Sequence, residues 1–417
     1  MRGARPDPGD SYLEENHPAI FSARLLAQRL ERIILEMGEG VSEAVYRRTR
    51  DAVVRGNYDF ILADQDNARV FEALQRVQPF VAASGPARPD IGLPHDPRQL
   101  REVWEDLSEA DREELFRLDP FLGNRNGIPH ADRDLFNRRN LDEISRQARE
   151  SEDFHRSMSY SELSRMLDAQ QTGEPRIYLS HFDDNGRVAF SLDDPDFADN
   201  TAVLLEPAGR EGDALQYAIS TSQQLRQLAL LTSPGDRTAV SFWGVYRQPQ
   251  SFVETIFPQF AQDGVAGVRE YHTGLRATHD GSSGHITTVG HSYASVLAGH
   301  SAGGGATLDT DDIVFIGSWG TGVNNAGELS LGGVAPGNTA EHVFSTMASG
   351  DHVQLMPDTH GPLPTDPEYG ARTLESSSVI PDRWNSFDHS ADFYLASTNP
   401  AAQNIGLVIT GRGDLVS

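Results

Sequence analysis

Sixteen residues, Gly284 to Gly299, constrain this chain more than any other stretch: G-H-I-T-T-V-G-H-S-Y-A-S-V-L-A-G. A short β-branched run, Ile286 to Val289, meets Gly290-His291-Ser292-Tyr293-Ala294, and small apolar residues of helical character follow at once. The pattern is strand, sharp turn, helix, with a serine at the apex. A serine displayed in this way has a strained backbone, so the positions two before and two after it must be small enough for strand and helix to pass closely. Gly290 and Ala294 meet that demand, although glycine is usual at the second position and Ala294 asks for slightly more room. A second match, Gly299-His300-Ser301-Ala302-Gly303, fits G-x-S-x-G letter for letter. No strand fits between the two, so Ser292 is the candidate nucleophile and Ser301 reads as a packing or helix-end residue.

The pattern around the elbow is alternating. Arg176 to His181 and Arg187 to Leu192 flank a turn at Asp183-Asp184-Asn185-Gly186, a hairpin signal. Strands follow at Thr201 to Leu205, Thr238 to Phe242, Ile286 to Val289, Ile313 to Gly317 and His342 to Met347, with helices between them at about Asp213 to Leu231 and Phe252 to Thr278. Such a series predicts an α/β fold: a mostly parallel sheet covered by helices on both faces.

Ahead of it, apolar residues at Ile20, Leu25, Leu26, Leu30, Ile33, Ile34 and Met37 have helical spacing, and further helical segments continue to Val81. The Pro/Gly-rich stretch Ala83 to Pro97 then marks a boundary. We read residues 1–85 as an N-terminal helical region, 86–97 as a linker and 98–417 as the α/β domain, with a helical lead-in over 98–172. The first region shows no clustered His or carboxylate constellation, so scaffolding, self-association or recruitment of a protein partner is its expected role. In the lead-in, Ser108 and Asp111 form a capping box. An Asp/Asn/Gly-rich passage from Asp119 to Arg138 lacks the spacing and terminal Glu of an EF-hand, which argues against a calcium loop.

Charge narrows the partners. The net charge is −26, and all 35 strongly basic side chains are arginine. So acidic a surface argues against nucleic acid and anionic membranes as partners. With no cysteine, disulfides and thiolate-held zinc are excluded, and neither a metal nor a cofactor is expected. No apolar run approaches a membrane span, and a charged amphipathic helix stands where a signal peptide would carry its apolar region, so a cytoplasmic location is the default expectation, with export by a route without a cleaved signal peptide as the alternative.

From Trp104 onward the chain carries a series of ordered marks: Asn126-Gly127-Ile128-Pro129 with Asp134 and Asn137-Arg138, Ala198-Asp199-Asn200, Trp243-Gly244 with Tyr246 and Pro249, Gly290-His291-Ser292-Tyr293, Gly317-Ser318-Trp319-Gly320, His360-Gly361, Tyr369-Gly370-Ala371 and His389-Ser390. With these it resembles an actinobacterial α/β-hydrolase family labelled a domain of unknown function. Three departures are visible: Ala294 in the elbow, Glu206-Pro207-Ala208-Gly209 where a Pro-Gly turn is usual, and Ala391-Asp392 after His389-Ser390 where a tyrosine is commonly close.

A serine nucleophile in this fold needs an acid and then a histidine later in the chain. Asp351, in Ser349-Gly350-Asp351 just past the His342 strand, is the candidate acid, with Asp358 in reserve. For the base, His389 competes with His360. The resemblance implies His389, and the short gap between Asp351 and His360 leaves little room for the helix that usually intervenes. Tyr293 N–H and an N–H of the Ala208-Gly209 turn are the expected oxyanion donors. His291 reads as packing. The expected activity is serine hydrolysis of an ester of a small or lipid-like acyl substrate through an acyl-enzyme. Two alternatives use the same fold: a non-catalytic binding or scaffold protein, and an acyltransferase or peptidase on the same triad.

Overall fold

Four helices lead in: α1 (Pro97–Asp106), α2 (Glu109–Leu118), α3 (His130–Glu150) and α4 (Phe154–Asp168). Asp96 caps α1 by accepting from Arg98 N–H and Gln99 N–H with Pro97 in the first turn, and the Ser108–Asp111 capping box opens α2. The alternating part follows as β1 (Ile177–Phe182), β2 (Val188–Leu192), β3 (Asn200–Leu205), α5 (Ala214–Thr232), β4 (Thr238–Trp243), α6 (Gln259–Thr278), β5 (His285–His291), α7 (Ala294–Ala302), β6 (Asp312–Ile316), β7 (Val343–Thr346), β8 (Arg372–Thr373), α8 (Ala391–Tyr394) and α9 (Pro400–Ile409). This computed structural model describes residues 91–150, 154–168, 174–209, 214–250, 254–281, 284–356, 358–380 and 383–417. The helices read over residues 1–85, and the linker up to residue 90, lie outside them. The described linker residues Leu93 and Pro97 are buried, Leu93 with Leu100, Trp104 and Phe136 of the lead-in.

The sheet runs β1-β2-β4-β3-β5-β6-β7-β8. β2 is antiparallel to both β1 and β4, and every pairing from β4 to β8 is parallel. β3, β4 and β6 are buried along their whole length, as parallel strands with both faces covered must be. The chain steps from β3 to β4 in one direction and then jumps back across β3 to β5, so the winding reverses there and opens a crevice at the carboxyl ends of β3 and β5.

α3 explains the Asp/Asn-rich passage. β1 is an edge strand, and unpaired edges template unwanted pairing. Here side chains occupy its polar groups: Leu179 N–H donates to Asp134 Oδ1 (2.8 Å), Asn137 Nδ2 donates to Leu179 O (3.0 Å) and Arg138 Nη2 to Ile177 O (2.8 Å). Asn124 accepts from Phe182 N–H and donates back to its carbonyl. Sheet closure is the work of these residues.

Two readings of the pattern shift. α6 starts at Gln259 rather than Phe252, because Pro258 occupies its N-cap and an isolated turn at Glu254–Ile256 precedes it. The two-residue β8 is too short to leave a periodic signal.

Candidate functional site

The elbow forms as the spacing requires. Ser292 sits at φ 56°, the strained left-handed region, between β5 and α7. A Cβ on Gly290 would lie 2.8 Å from Ser295 Cα, and Ala294 is fully buried, so strand and helix do cross at the predicted small residues. The Ser292 N–H donates to Ile316 O (2.9 Å), which fixes the turn against β6. The second motif is helix packing. Ser301 is buried within α7, and a Cβ on Gly299 would fall 1.9 Å from Thr321 O.

Ser292 Oγ stands 2.9 Å from His389 Nε2, and His389 Nδ1 stands 3.0 Å from Asp351 Oδ2. With Nδ1–H donating to the carboxylate, Nε2 is left as the acceptor facing the serine. The three come from the ends of β5 and β7 and from the loop before α8, in the chain order of α/β hydrolases. Asp351 has no exposed surface. Its other oxygen accepts from Val353 N–H (3.0 Å), and Oδ2 also accepts from the Tyr394 hydroxyl (2.7 Å). Burial alone would push this carboxyl up, but the hydrogen bond and charge of His389, with Val353 N–H and the Tyr394 hydroxyl, outweigh it and hold the group below the usual carboxylate range. Burial, reinforced by the Asp351 charge, pushes the Tyr394 phenol up, so it remains a donor. Tyr394 in turn accepts from Ala348 N–H (2.9 Å). Tyr394 lies in α8, five residues after His389.

Two further residues hold this array. Gly317, at φ 55°, lies so close that a Cβ would come 3.0 Å from Asp351 Oδ2 and 3.2 Å from His389 Nδ1. His291 is more than packing: its Nε2 donates to the His389 carbonyl (2.8 Å), while its Nδ1 lies 3.3 Å from the Tyr217 hydroxyl. No local pattern announces these contacts, since each joins positions far apart in the chain. The one available signal was the presence of Gly317 and His291 among the ordered marks.

The reserve residues lie elsewhere. His360 is buried against Trp319 and Tyr293, with Nε2 donating to Thr255 O (2.7 Å), and burial brings it down to about 4. Asp358 is exposed. The oxyanion reading needs a correction at Gly209, whose N–H donates to Pro249 O (2.8 Å) and is engaged in shaping its own loop. Tyr293 N–H and Ala208 N–H have no acceptor among the described residues. The Tyr293 ring is anchored away from the turn, its hydroxyl donating to Phe257 O (2.6 Å) and accepting from Ala261 N–H.

Among the described residues, His130, Asp194 and Asp196 come close enough together to hold a cation. Asp196 already accepts from His130 N–H, His130 Nδ1–H and the Thr278 hydroxyl, and these bonds tie α3 to α6. No described helix is long and apolar enough to cross a membrane.

Residues 183–360 match the family model described as alpha/beta hydrolase, a span that includes the elbow and Asp351 and ends before His389. The chain has an α/β-hydrolase fold. An uncharacterized protein of Mycobacterium tuberculosis is 25% identical to this chain over 382 residues, covering 79% of this chain and 57% of its own. A second, from Mycobacterium bovis, is 32% identical over 136 residues, 33% of this chain and 44% of its own. The chain thus spans only about half the length of these curated relatives. Among solved structures, esterase LipW from Mycobacterium marinum is 11% identical, covering 66% of this chain and 90% of its own at a TM-score of 0.35. A hormone-sensitive lipase from a metagenome library is 13% identical, covering 66% and 98% at 0.33.

Proposed function

We propose that this chain is a serine hydrolase that cleaves an acyl ester through a covalent acyl-enzyme, and that it belongs with the actinobacterial branch of the fold to which its mycobacterial relatives point. The observation that carries the reading is the continuous hydrogen-bonded line from a strained serine to a buried carboxylate: 2.9 Å from Ser292 to His389 and 3.0 Å from His389 to Asp351. A structural serine has no need of a left-handed backbone, an imidazole on its hydroxyl and a three-donor cradle for the acid behind that imidazole.

In the proposed reaction His389 Nε2 takes the hydroxyl proton as Ser292 Oγ attacks the acyl carbonyl carbon. The tetrahedral oxyanion lies between Tyr293 N–H and Ala208 N–H. His389 returns the proton to the departing alkoxide, which leaves as the alcohol with the acyl group on Ser292. A water molecule then gives its proton to His389 as its oxygen attacks the acyl carbon, and Ser292 is regenerated with release of the carboxylic acid. Asp351 stays ionised throughout, holding the Nδ1–H tautomer and balancing the transient imidazolium.

The test is a fluorophosphonate probe on the full chain, followed by p-nitrophenyl esters of graded chain length beside matched amides. Rapid labelling and turnover of esters over amides is expected. Absence of labelling would make the protein a non-catalytic member of its fold, and faster turnover of amides would make it a peptidase or amidase.

A further inference from the structure

His389 and Asp351 each follow a residue that is packed against its opposite number. Gly350 precedes the acid after β7, Asp388 precedes the base ahead of α8, and the two lie in contact. A Cβ on Gly350 would collide with Asp388 Oδ2 and lie 2.7 Å from both Arg383 O and Ser378 Oγ. Asn385 N–H donates to Gly350 O (2.9 Å), and Asn385 forms an isolated parallel bridge with Asp351. The segment that carries His389 is therefore seated on the backbone that carries Asp351.

Apolar burial does not hold that segment. Among the described residues from 378 to 389, Asp388 alone is buried. Val379, Ile380, Trp384 and Phe387 are exposed, Trp384 at 50% and Phe387 at 72%, so transfer of these side chains from water contributes little to fixing the loop. The fixing is polar and converges on the Asp388 carboxylate, which has no exposed surface. Its Oδ2 accepts from the Ser378 hydroxyl and its Oδ1 from Val379 N–H (2.9 Å), while Asp388 N–H donates to Asn385 Oδ1 (3.0 Å). Neither oxygen bonds an imidazole, so this carboxylate does not compete with Asp351 for His389. No arginine or histidine pairs with it among the described residues. A buried carboxylate without a cation is costly unless donors satisfy it, which makes the Ser378 and Val379 contacts the terms that keep the loop closed.

We infer that Asp388 is a positioning residue for His389: its carboxylate gathers Ser378 and Val379 from the start of the segment, seats the end of the segment on Gly350, and thereby fixes His389 Nδ1 against Asp351 Oδ2. The inference rests on Ser292, His389 and Asp351 acting as the triad. Asparagine should serve in place of Asp388, because its Oδ1 still accepts from Val379 N–H and its amide donates to the Ser378 hydroxyl oxygen, whereas alanine leaves both partners unmatched.

Two readouts on the full chain test it: the fluorophosphonate labelling rate, and the downfield proton resonance of the His389 Nδ1–H bonded to Asp351, assigned by its disappearance in His389→Ala. In Asp388→Ala labelling should fall on the order of 100-fold, as for a misplacement of about 1 Å, and the resonance should shift or broaden. Both should return close to wild type in Asp388→Asn. Gly350→Ala presses on the same contact from the other side, so it should slow labelling too, and the double variant with Asp388→Ala should be little worse than the worse single variant. Thermal melts establish folding, and should Asp388→Ala fail to fold, the same two readouts on Gly350→Ala and Ser378→Ala decide in its place. An unmoved resonance or a wild-type labelling rate in folded Asp388→Ala, an Asp388→Asn protein as impaired as the alanine variant, or losses that simply add in the double variant would overturn the inference. Failure of the wild-type chain to label would count against Ser292 instead, and the resonance alone would then decide the role of Asp388.

Discussion

Replacing Gly317 with alanine separates the geometry described above from a generic fold. Alanine in place of glycine usually stabilises a protein by roughly 0.4–1 kcal/mol where the backbone permits it, because the unfolded chain loses freedom. At φ 55° the sign reverses, with a cost of about 1–2 kcal/mol for a left-handed L-residue. The new methyl would also stand 3.0 Å from Asp351 Oδ2 and 3.2 Å from His389 Nδ1, so something must yield by a few tenths of an ångström. Asp351 is buried and held by Val353 and Tyr394, whereas the His389 side chain is 19% exposed, so the imidazole moves. If a full 1 Å misplacement costs on the order of 100-fold, this smaller one should lower kcat/KM roughly tenfold. Gly186→Ala is the control, with φ 74° but nothing within 4 Å of the added methyl. It should lose similar stability and keep its activity. The assays are thermal melts, the fluorophosphonate labelling rate and kcat/KM on the best p-nitrophenyl ester. A Gly317→Ala protein with raised Tm and wild-type labelling would refute the argument.

Other outcomes follow from the same geometry. Ser301→Ala should label like wild type, which equal loss of labelling in Ser301→Ala and Ser292→Ala would contradict. Asp351→Asn should cost on the order of 10⁴ in kcat by favouring the wrong imidazole tautomer, and combining it with His389→Ala should be little worse than His389→Ala alone, while His360→Ala is far milder; kinetics on these variants, with melts to exclude unfolding, decide it. His291→Phe frees the His389 carbonyl, so kcat should fall about tenfold with KM nearly unchanged, and an unaltered kcat would return His291 to packing. Burial holds both His272 and His360 at about 4, against 6.5 when unfolded, so the unfolded chain binds more protons between those values and stability falls as pH drops through that window. The loss should reach about 2 kcal/mol per histidine at pH 5, and urea melts that are flat from pH 7 to 5 would contradict it.

The elbow was legible because its constraint is local: strand, strained serine and crossing helix occupy about a dozen consecutive residues, and small side chains at Gly290 and Ala294 are required by contact within that span. The β1–β2 hairpin and the capping box at Ser108 are local too. Asp351 could be picked out because it follows a strand on the correct end of the sheet. What composition and periodicity could not carry is what the chain brings together from afar. Tyr394 reaches Asp351 across 43 positions, and His291 reaches the His389 carbonyl across 98. Neither residue type signals such a role. The Gly209 N–H was misjudged for the same reason, since its acceptor, Pro249, arrives from the far side of β4. Asp134, Asn137 and Arg138 cap the edge of β1, a role that joins distant parts of the chain and leaves no local pattern.

The central claim is that Ser292 is a nucleophile activated by His389, and the most direct measurement is intact-protein mass followed by peptide mapping after brief exposure to a fluorophosphonate. The account predicts one adduct per chain, on Ser292, absent in Ser292→Ala and slowed by several orders of magnitude in a folded His389→Ala protein. An adduct on another serine, or labelling of the His389→Ala protein at the wild-type rate, would contradict it.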